Sequence, residues 1–288
     1  DLAFSPDGSR LAGACVDGFV SVWEVSSGLR RIALPTDGPV LAVAFSPDGL
    51  VLAAGTATRG IQLWAGNPLA PTVRRDLLPA AIERLAFGAG GVLYAADETG
   101  EIQVLDAATL DGPSLADASH FPCSTILPAR CLRAHEGRLR SLVVDETNGL
   151  LAGGEDGVIR WLAVAEGDRG ATPAAQVLPL VVLPAPDGGE VAVGLTDGTI
   201  VRLDTATGRE RRRATEHADA VTGLAWLPGG TLLSAGLDGT LRLWKTGEDA
   251  SSQTLHDHHR PVTALALSPD GARAASGGLD GAILVWTI

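Results

Sequence analysis

The sequence predicts an all-β fold assembled from seven copies of one small unit, and three observations support this prediction. The first is a turn marker that returns at an almost constant spacing along the chain. The second is a pair of tight-turn signals in each unit, separated by short apolar runs. The third is that no useful stretch of helical periodicity occurs. A fixed internal period of this kind determines the architecture of a chain more strongly than local propensity does.

The repeat is clearest near the C-terminus, where TLLSAGLDGTLRLWKTG begins at Thr231 and ARAASGGLDGAILVWTI ends at Ile288. One interval between markers, from Thr99 to Asp156, is longer than all the others, which indicates an insertion in the third unit. The markers are Asp17, Thr58, Thr99, Asp156, Asp197, Asp238 and Asp280. The residues six positions later are Trp23, Trp64, Leu105, Leu162, Leu203, Trp244 and Trp286. We therefore predict seven units that cover the whole chain.

Each unit is predicted to contain antiparallel strands joined by tight turns. A second turn recurs upstream of the marker, and it is written SPDG from Ser5, Ser46 and Ser268. Asp-Gly between apolar runs is a strong hairpin signal. Runs such as LAVAF and VLAAG are apolar on both faces, as expected of sheets covered on both sides. A period of this length made of strands is typical of the blades of a β-propeller.

On these residues the chain resembles the WD-repeat (WD40) family, over all seven units. The resemblance implies a seven-bladed β-propeller of four-stranded antiparallel blades, each locked by a hydrogen-bonded tetrad of His, Ser or Thr, Asp and Trp. It assigns two complete tetrads, which are His217, Ser234, Asp238 and Trp244 in the sixth unit and His258, Ser276, Asp280 and Trp286 in the seventh. Such bonds are chemically reasonable, because a buried Trp N–H needs an acceptor and a buried Asp needs donors.

The other units keep less of the tetrad. The fourth has His135 and Asp156 but has Ala152 and Leu162 at the other two positions, and the first has Gly13 at the Ser position. Units two, three and five lack the set. We expect packing to hold those blades.

The whole chain is predicted to be one domain. The expected blades are 1–39, 40–80, 81–136, 137–176, 177–218, 219–259 and 260–288, with an inserted loop at 107–128. The chain is shorter than seven full repeats plus the insertion, so the last blade should lack its outer strand within this chain. In the family an N-terminal strand closes that blade. Because the sequence contains no Met, we expect Asp1 not to be a natural start and the chain to belong to a longer protein.

Composition limits the possible partners. The net charge of −12 argues against binding a nucleic-acid backbone, where cations supply most of the affinity. No run of uncharged apolar residues is long enough to cross a bilayer, so no membrane span is expected. Of the 22 basic residues all but Lys245 are Arg, and this bias together with abundant Ala and Gly suggests a bacterial source.

The three cysteines are too few for a disulfide framework, which favours a reduced, cytoplasmic setting. Cys15 is expected to be a buried thiol in a strand. Cys123 and Cys131 flank the insertion, and they could pair only if the loop brings them within disulfide geometry.

Two clusters could suggest chemistry, and each has a simpler interpretation. HDHH, from His256 to His259, could attract zinc, but His258 is needed in its tetrad and adjacent loop residues rarely converge on one ion. GRERRRATEH should form an outer strand with Arg211 and Arg213 on one face and Arg212 on the other, either as a charged, protected edge or as a site for an anionic partner. No metal and no cofactor are predicted.

An enzyme is not expected. The first strands, which would line the central channel, offer almost no carboxylates, imidazoles or hydroxyls. No nucleophile arrangement and no phosphate-binding loop is evident.

The loops between second and third strands should share one face, opposite the SPDG turns. That face is the predicted binding surface for a protein or peptide. Its candidates are an apolar arc of Val16, Leu237 and Leu279, the acidic Glu98 and Glu155, and the rim residues Arg138 and Arg260. The alternative is that the leucines only fill gaps between hairpins. Trp161 comes one position closer to its marker than the other tryptophans do, so it should either pack against the next blade or be an exposed anchor.

The sequence therefore favours a non-enzymatic interaction scaffold, as the propeller module of a larger bacterial signalling or regulatory protein. One alternative is a sensor for a small ligand or glycan, which would use exposed aromatic residues from among Trp161, Tyr94 and Phe19. A hydrolase or lyase at the channel mouth is the other alternative.

Overall fold

The structure, a computed structural model, describes residues 1–66, 69–75, 80–106, 130–145, 149–163, 167–173, 179–244, 252–255 and 258–288. It is an all-β arrangement of seven antiparallel sheets. Six of the sheets have four strands, and the last has three. Helical structure in these residues is limited to one short 3-10 turn at Ala89–Gly91.

The strands follow one another in chain order, blade by blade. Blade one has β1 (Leu2–Phe4), β2 (Arg10–Ala14), β3 (Phe19–Glu24) and β4 (Arg30–Pro35), and blade two has β5 (Val40–Phe45), β6 (Val51–Thr56), β7 (Ile61–Ala65) and β8 (Ala70–Arg75). Blade three has β9 (Ile82–Phe87), β10 (Val92–Asp97), β11 (Glu101–Asp106) and β12 (Arg130–Arg133), and blade four has β13 (Leu139–Asp145), β14 (Gly149–Gly154), β15 (Val158–Ala163) and β16 (Gly167–Pro173). Blade five has β17 (Pro179–Pro184), β18 (Glu190–Leu195), β19 (Ile200–Asp204) and β20 (Glu210–Ala214), and blade six has β21 (Val221–Trp226), β22 (Leu232–Gly236), β23 (Leu241–Trp244) and β24 (Ser252–Leu255). Blade seven has β25 (Val262–Leu267), β26 (Arg273–Gly278) and β27 (Ile283–Thr287).

The SPDG turns form because their side chains bond the local backbone. In blade two the Ser46 hydroxyl donates to Asp48 at 2.5 Å and accepts the N–H of Val51 at 2.9 Å. Gly49 then takes a φ of +69°, a left-handed conformation that favours glycine. The same Ser–Asp bond occurs in the turns of blades one and seven. These bonds direct the chain back into an antiparallel second strand.

The first strand of each blade lies on the inside of a ring. Neighbouring first strands contact one another in the order β1, β5, β9, β13, β17, β21 and β25, and β25 contacts β1. The ring is therefore closed, and each sheet extends outward from it. This geometry gives every blade two neighbours against which to bury its faces.

The hydrophobic core lies between blades. Among the described residues, seven apolar clusters are found, and each joins one pair of adjacent blades. The cluster between blades two and three contains Leu63 and Leu85, and the one between blades five and six contains Trp226 and Leu232. This distribution explains why the strands are apolar on both faces.

No helix among these residues reaches the length or the apolar content that crossing a membrane would need.

Blade tetrads and the candidate binding face

Blade six contains a continuous hydrogen-bonded chain from its third strand to the loop before its first strand. Trp244 Nε1–H donates to Ser234 Oγ at 2.8 Å, and Ser234 Oγ lies 2.7 Å from His217 Nε2. His217 Nδ1 lies 2.8 Å from Asp238 Oδ2. Both His217 and Ser234 are buried. The four residues tie together the second and third strands, the turn between them and the loop that precedes the first strand.

The proton positions follow from the partners. The ionised carboxylate of Asp238 has no proton to donate, so His217 donates to it from Nδ1. Its Nε2 then accepts from the Ser234 hydroxyl. Burial lowers the pKa of His217, against the opposing effect of Asp238. Burial alone would raise the pKa of Asp238, but the bonds from Thr240, His217 and Ala218 together lower it. A neutral imidazole beside an ionised carboxylate results.

Blade seven has the same series of hydrogen bonds, with one side-chain donor fewer. Trp286 Nε1–H donates to Ser276 Oγ at 2.8 Å, Ser276 Oγ lies 2.7 Å from His258 Nε2, and His258 Nδ1 lies 2.9 Å from Asp280 Oδ2. In blade six the Thr240 hydroxyl also donates to Asp238, at 2.8 Å. Blade seven has Ala282 at that position, where only the backbone N–H donates.

Blade four keeps half of the tetrad and adds an arginine. His135 Nδ1 lies 2.9 Å from Asp156 Oδ1, and Arg160 donates to Asp156 Oδ2 at 2.6 Å. Ala152 replaces the serine, and His135 Nε2 is buried without a hydrogen-bond partner. Burial lowers the pKa of His135. The arginine was not foreseen, because nothing in the repeat spacing assigns a role to that position.

A glycine two residues before the marker accompanies each of these histidines. A Cβ on Gly236 would lie 2.7 Å from His217 Nδ1, and one on Gly278 would lie 2.6 Å from His258 Nδ1. Gly154 is similarly close to His135. The units without the histidine have Cys15, Thr56, Asp97 and Leu195 at this position. This pairing of Gly with His was visible in the sequence and would have marked the three histidine-containing blades.

The second-to-third-strand turns lie at the same end of each blade as the start of the first strand. The residue before the marker donates its N–H to the residue just before or at the start of the first strand, as in Leu237 to Ala220 and Leu279 to Pro261, both at 2.9 Å. Glu155 bonds Arg138 O in the same way. The turns therefore share one face of the ring, which we call the loop face.

The apolar candidates on the loop face differ in exposure. Val16 is 81 % exposed and Leu279 is 63 % exposed, in adjacent blades one and seven. Phe19, next to the turn of blade one, is also exposed. Leu237 of blade six is half-buried rather than exposed, so the apolar part of the face is centred on blades seven and one.

The charged candidates are paired with each other. Arg138 donates to Glu98 at 3.1 Å and also lies 3.8 Å from Glu83, and Arg140 pairs with Glu155. Blades three and four therefore present an ion-pair network rather than a simply acidic surface. Arg260 is exposed in the loop before β25.

Trp161 packs against the next blade. It is partly buried against a cluster that includes Leu151 and Ile159 of its own blade and Val182 of blade five. Leu63, at the same position of blade two, packs against blade three in the same way. Trp161 is therefore part of the interblade packing.

The remaining sequence predictions have mixed outcomes. Cys15 follows β2 instead of lying within it and is half-buried, with a free thiol. Cys123 and the predicted loop at 107–128 lie outside the described residues, so the possible pairing of Cys123 with Cys131 falls outside them as well. Of HDHH, His258 is in its tetrad and His259 is exposed, while the first two residues are outside the described part. In the described segments no three His, Cys, Asp or Glu residues are grouped so as to hold a metal.

Comparison with known proteins agrees with the fold. The family model "WD domain, G-beta repeat" matches residues 1–24, 30–65, 208–245 and 250–287. The chain is a WD-repeat β-propeller. The matched segments correspond to blades one, two, six and seven, which include both complete tetrads. The middle of this WD-repeat chain, where the tetrad decays, is not matched.

The chain is also similar to curated relatives in sequence and to a solved structure in fold. "Telomerase protein component 1" of Mus musculus is 28 % identical over 287 residues, covering 98 % of this chain. "WD repeat and SOCS box-containing protein 1" of Homo sapiens is 33 % identical over 101 residues, covering 34 % of this chain and 24 % of that protein. A chain in "Crystal Structure of Mitotic Checkpoint Complex" superposes with a TM-score of 0.84 at 22 % identity, covering 100 % of this chain and 86 % of that one. The chain spans 10 % of the length of the mouse relative.

Proposed function

We propose that this propeller is a non-enzymatic interaction module that binds a protein or peptide on its loop face, within a larger signalling or regulatory protein. The observation that carries the proposal is the exposure of Val16 and Leu279 on adjacent turns, since large exposed apolar side chains grouped on one face are typical of protein-binding surfaces. The names of two relatives are consistent with such a role. One is named as a protein component of telomerase, and the other as a protein that contains both WD repeats and a SOCS box.

A protein partner fits the loop face better than a glycan or small ligand. A sensor of that kind would need exposed aromatic residues, but Tyr94 is 7 % exposed and Trp161 packs between blades. Phe19 alone of the three candidates is exposed. The cytoplasmic setting and the bacterial source remain parts of the proposal, the first supported by the free thiol of Cys15.

The test is a comparison of two surfaces by affinity capture and mass spectrometry. Replacing Val16 and Leu279 with Asp together should remove the specific partners retained by the wild-type propeller, because a charge would have to be buried in the apolar contact. The matched control is Leu50→Asp, since Leu50 is 56 % exposed and lies on the opposite face. Circular dichroism should show the same spectrum for all three proteins. Retention of the same partners by the Val16/Leu279 double variant would assign binding to another surface.

A further inference from the structure

Arg59, in the turn between β6 and β7, has a backbone conformation that usually belongs to glycine. Its φ is +73°, and among the described residues it is the only residue other than glycine with a positive φ. The residue directly after the marker is glycine in the other six units, where it is Gly18, Gly100, Gly157, Gly198, Gly239 or Gly281. A side chain in this left-handed region costs free energy that glycine avoids. Blade two therefore has an arginine where the turn itself favours glycine.

The bonds that form this turn do not use the Arg59 side chain. The carbonyl oxygen of Thr56 accepts the backbone N–H of Arg59 at 3.3 Å, and the Thr56 hydroxyl accepts the N–H of Gly60 at 3.1 Å. Arg59 is exposed, and its guanidinium has no hydrogen-bond or ion-pair partner in the part of the chain that the structure describes. A charge needed only for solubility could occupy an unstrained position. The placement of Arg59 therefore points to a ligand outside this chain.

Arg59 lies beside the exposed apolar residues of the loop face. The turns of blades one and two both contact the segment that precedes β5. A Cβ on Gly38 of that segment would lie 2.8 Å from Thr58, and a Cβ on Gly18 would lie 3.6 Å from the Gly38 carbonyl oxygen. Thr58 directly precedes Arg59, and Val16 lies two residues before Gly18. The guanidinium and the apolar side chain thus belong to adjacent turns of one face.

A second exposed arginine lies at the other end of the apolar pair. Arg260 precedes β25, and the carbonyl of the next residue, Pro261, accepts the N–H of Leu279 at 2.9 Å. The backbone of Arg260 also contacts the turn of blade six, and its guanidinium has no partner among the described residues. The order around the loop face is therefore Arg260, Leu279, Val16 and Arg59.

The arginines on the other side of the loop face are already neutralised. Arg138 and Arg140, in blade four and the loop before it, each pair with a glutamate. Exposed apolar side chains therefore occur together with available guanidiniums at blades seven, one and two. Acidic residues such as Asp17 and Asp37 are also exposed there, so this part of the face does not suit a long acidic tract.

We propose that the loop face recognises a peptide segment in which one glutamate or aspartate lies next to a large apolar side chain, and that Arg59 binds that carboxylate. This proposal rests on the proposed function of the loop face and specifies the chemistry of the partner. The apolar side chain lies on Val16 and Leu279. The planar guanidinium donates two parallel N–H bonds to the carboxylate, a geometry that makes arginine selective for such groups.

The probes are three pools of immobilised short peptides that differ only in a fixed glutamate, glutamine or phosphoserine before a fixed leucine. The wild-type propeller should retain the glutamate pool about tenfold more strongly than the glutamine pool, as expected for one charge-assisted interaction. Arg59→Gln should abolish this preference. The matched control is Arg273→Gln, which removes the same charge from an exposed residue at the start of β26, after the SPDG turn of the opposite face, and should keep the preference.

The Val16/Leu279 double variant separates this proposal from the proposed function. It should lose capture of the glutamate and glutamine pools alike, because both use the apolar contact. If it captures both pools as the wild type does, the loop face is not the binding surface and both proposals fail. If it loses capture but the wild type retains the two pools equally, the loop face binds peptides without a carboxylate site, and only the present proposal fails.

A glycine variant tests the argument from backbone conformation. Arg59→Gly should lose the preference for glutamate and should be at least as stable in urea as the wild type, because glycine removes the strain. Lower stability of this variant would give the arginine a structural role in the turn and would overturn the proposal. Equal effects of Arg59→Gln and Arg273→Gln, or preferential capture of the phosphoserine pool over the glutamate pool, would overturn it as well. Circular dichroism checks that each variant is folded.

Discussion

Blades six and four contain the same histidine and the same aspartate but differ in what surrounds them. In blade six the imidazole is bonded at both nitrogens, by Asp238 on one side and Ser234 on the other. In blade four one nitrogen of His135 has no partner, and an arginine shares the aspartate. A buried polar network stabilises a fold only when its members are satisfied. We therefore expect the stability of blade six to depend strongly on its tetrad. We also expect that a single substitution can increase the stability of blade four.

The largest expected effect is the loss of the aspartate from blade six. Asp238 accepts bonds from His217, from the backbone of Ala218, and from the backbone and hydroxyl of Thr240. Asp238→Ala should lower the free energy of unfolding by about 3 kcal/mol, because it leaves a buried imidazole and several donors without an acceptor. Urea denaturation at pH 7 measures the change.

The matched control for this substitution is in blade five. Asp197 occupies the same marker position, is exposed, and accepts from the backbone of Thr199. Asp197→Ala should therefore cost about 1 kcal/mol or less. Equal losses for the two variants would mean that the marker aspartate acts only through its turn, and that the tetrad adds nothing.

The second effect is the pH dependence that the buried histidines create. His217 and His135 have pKa values lowered by burial, so the unfolded chain binds protons below about pH 6.5 more readily than the folded one. Stability should accordingly be greatest at neutral pH and should fall between pH 6.5 and 5, by at most about 1.4 kcal/mol per pH unit for each histidine. Asp280, with a pKa lowered to about 2, titrates below this window.

Substituting His217 alone measures how much of the pH dependence of stability comes from that residue. His217→Asn should lower stability at pH 7 and make the loss between pH 6.5 and 5 smaller. His259→Asn changes an exposed histidine whose side chain lies outside the tetrads, and its slope is the reference with which that of His217→Asn is compared. If the slopes of all three proteins agree, His217 is protonated equally in the folded and unfolded states.

The sequence was sufficient for features that depend on local turn chemistry and on the repeat. Asp-Gly and SPDG turns bond their own backbone, so their positions predict the strand order without knowledge of the packing. Seven blades, the three-stranded last blade and the all-β architecture follow from that spacing. These are the parts of the fold in which one residue type at one position has one structural role.

Features that depend on the direction of a side chain or on packing between blades could not be predicted in this way. Arg160 reaches Asp156 in a blade whose tetrad is incomplete, and the direction of a long side chain is not encoded in a period. The half-buried state of Leu237 likewise depends on its surroundings and not on its place in the repeat. The contact of Arg202 in blade five with Trp226 in blade six exists only when two sheets are placed face to face, although an arginine at a position that is apolar in the other six units is visible in the sequence.

The smallest expected effect is a gain, and it tests the comparison between blades six and four directly. Ala152→Ser places a hydroxyl at the position that Ser234 occupies in blade six, next to the unpartnered His135 Nε2. The hydroxyl can donate to that nitrogen or accept from it, so it serves either tautomer of the ring. We expect the free energy of unfolding to rise by about 1 kcal/mol, the typical net value of one buried hydrogen bond.

The control for this gain is Ala95→Ser in blade three, at the same position in a unit that has no histidine and that has Leu105 where blade four has Leu162. Ala95 is buried among apolar residues, so its hydroxyl would lack the imidazole partner and should lower stability. Urea denaturation of both variants decides between two explanations of the tetrad. If Ala152→Ser destabilises as much as Ala95→Ser does, the serine of blade six is useful only together with Trp244, and the unit of stabilisation is the complete set of four residues rather than each bond within it.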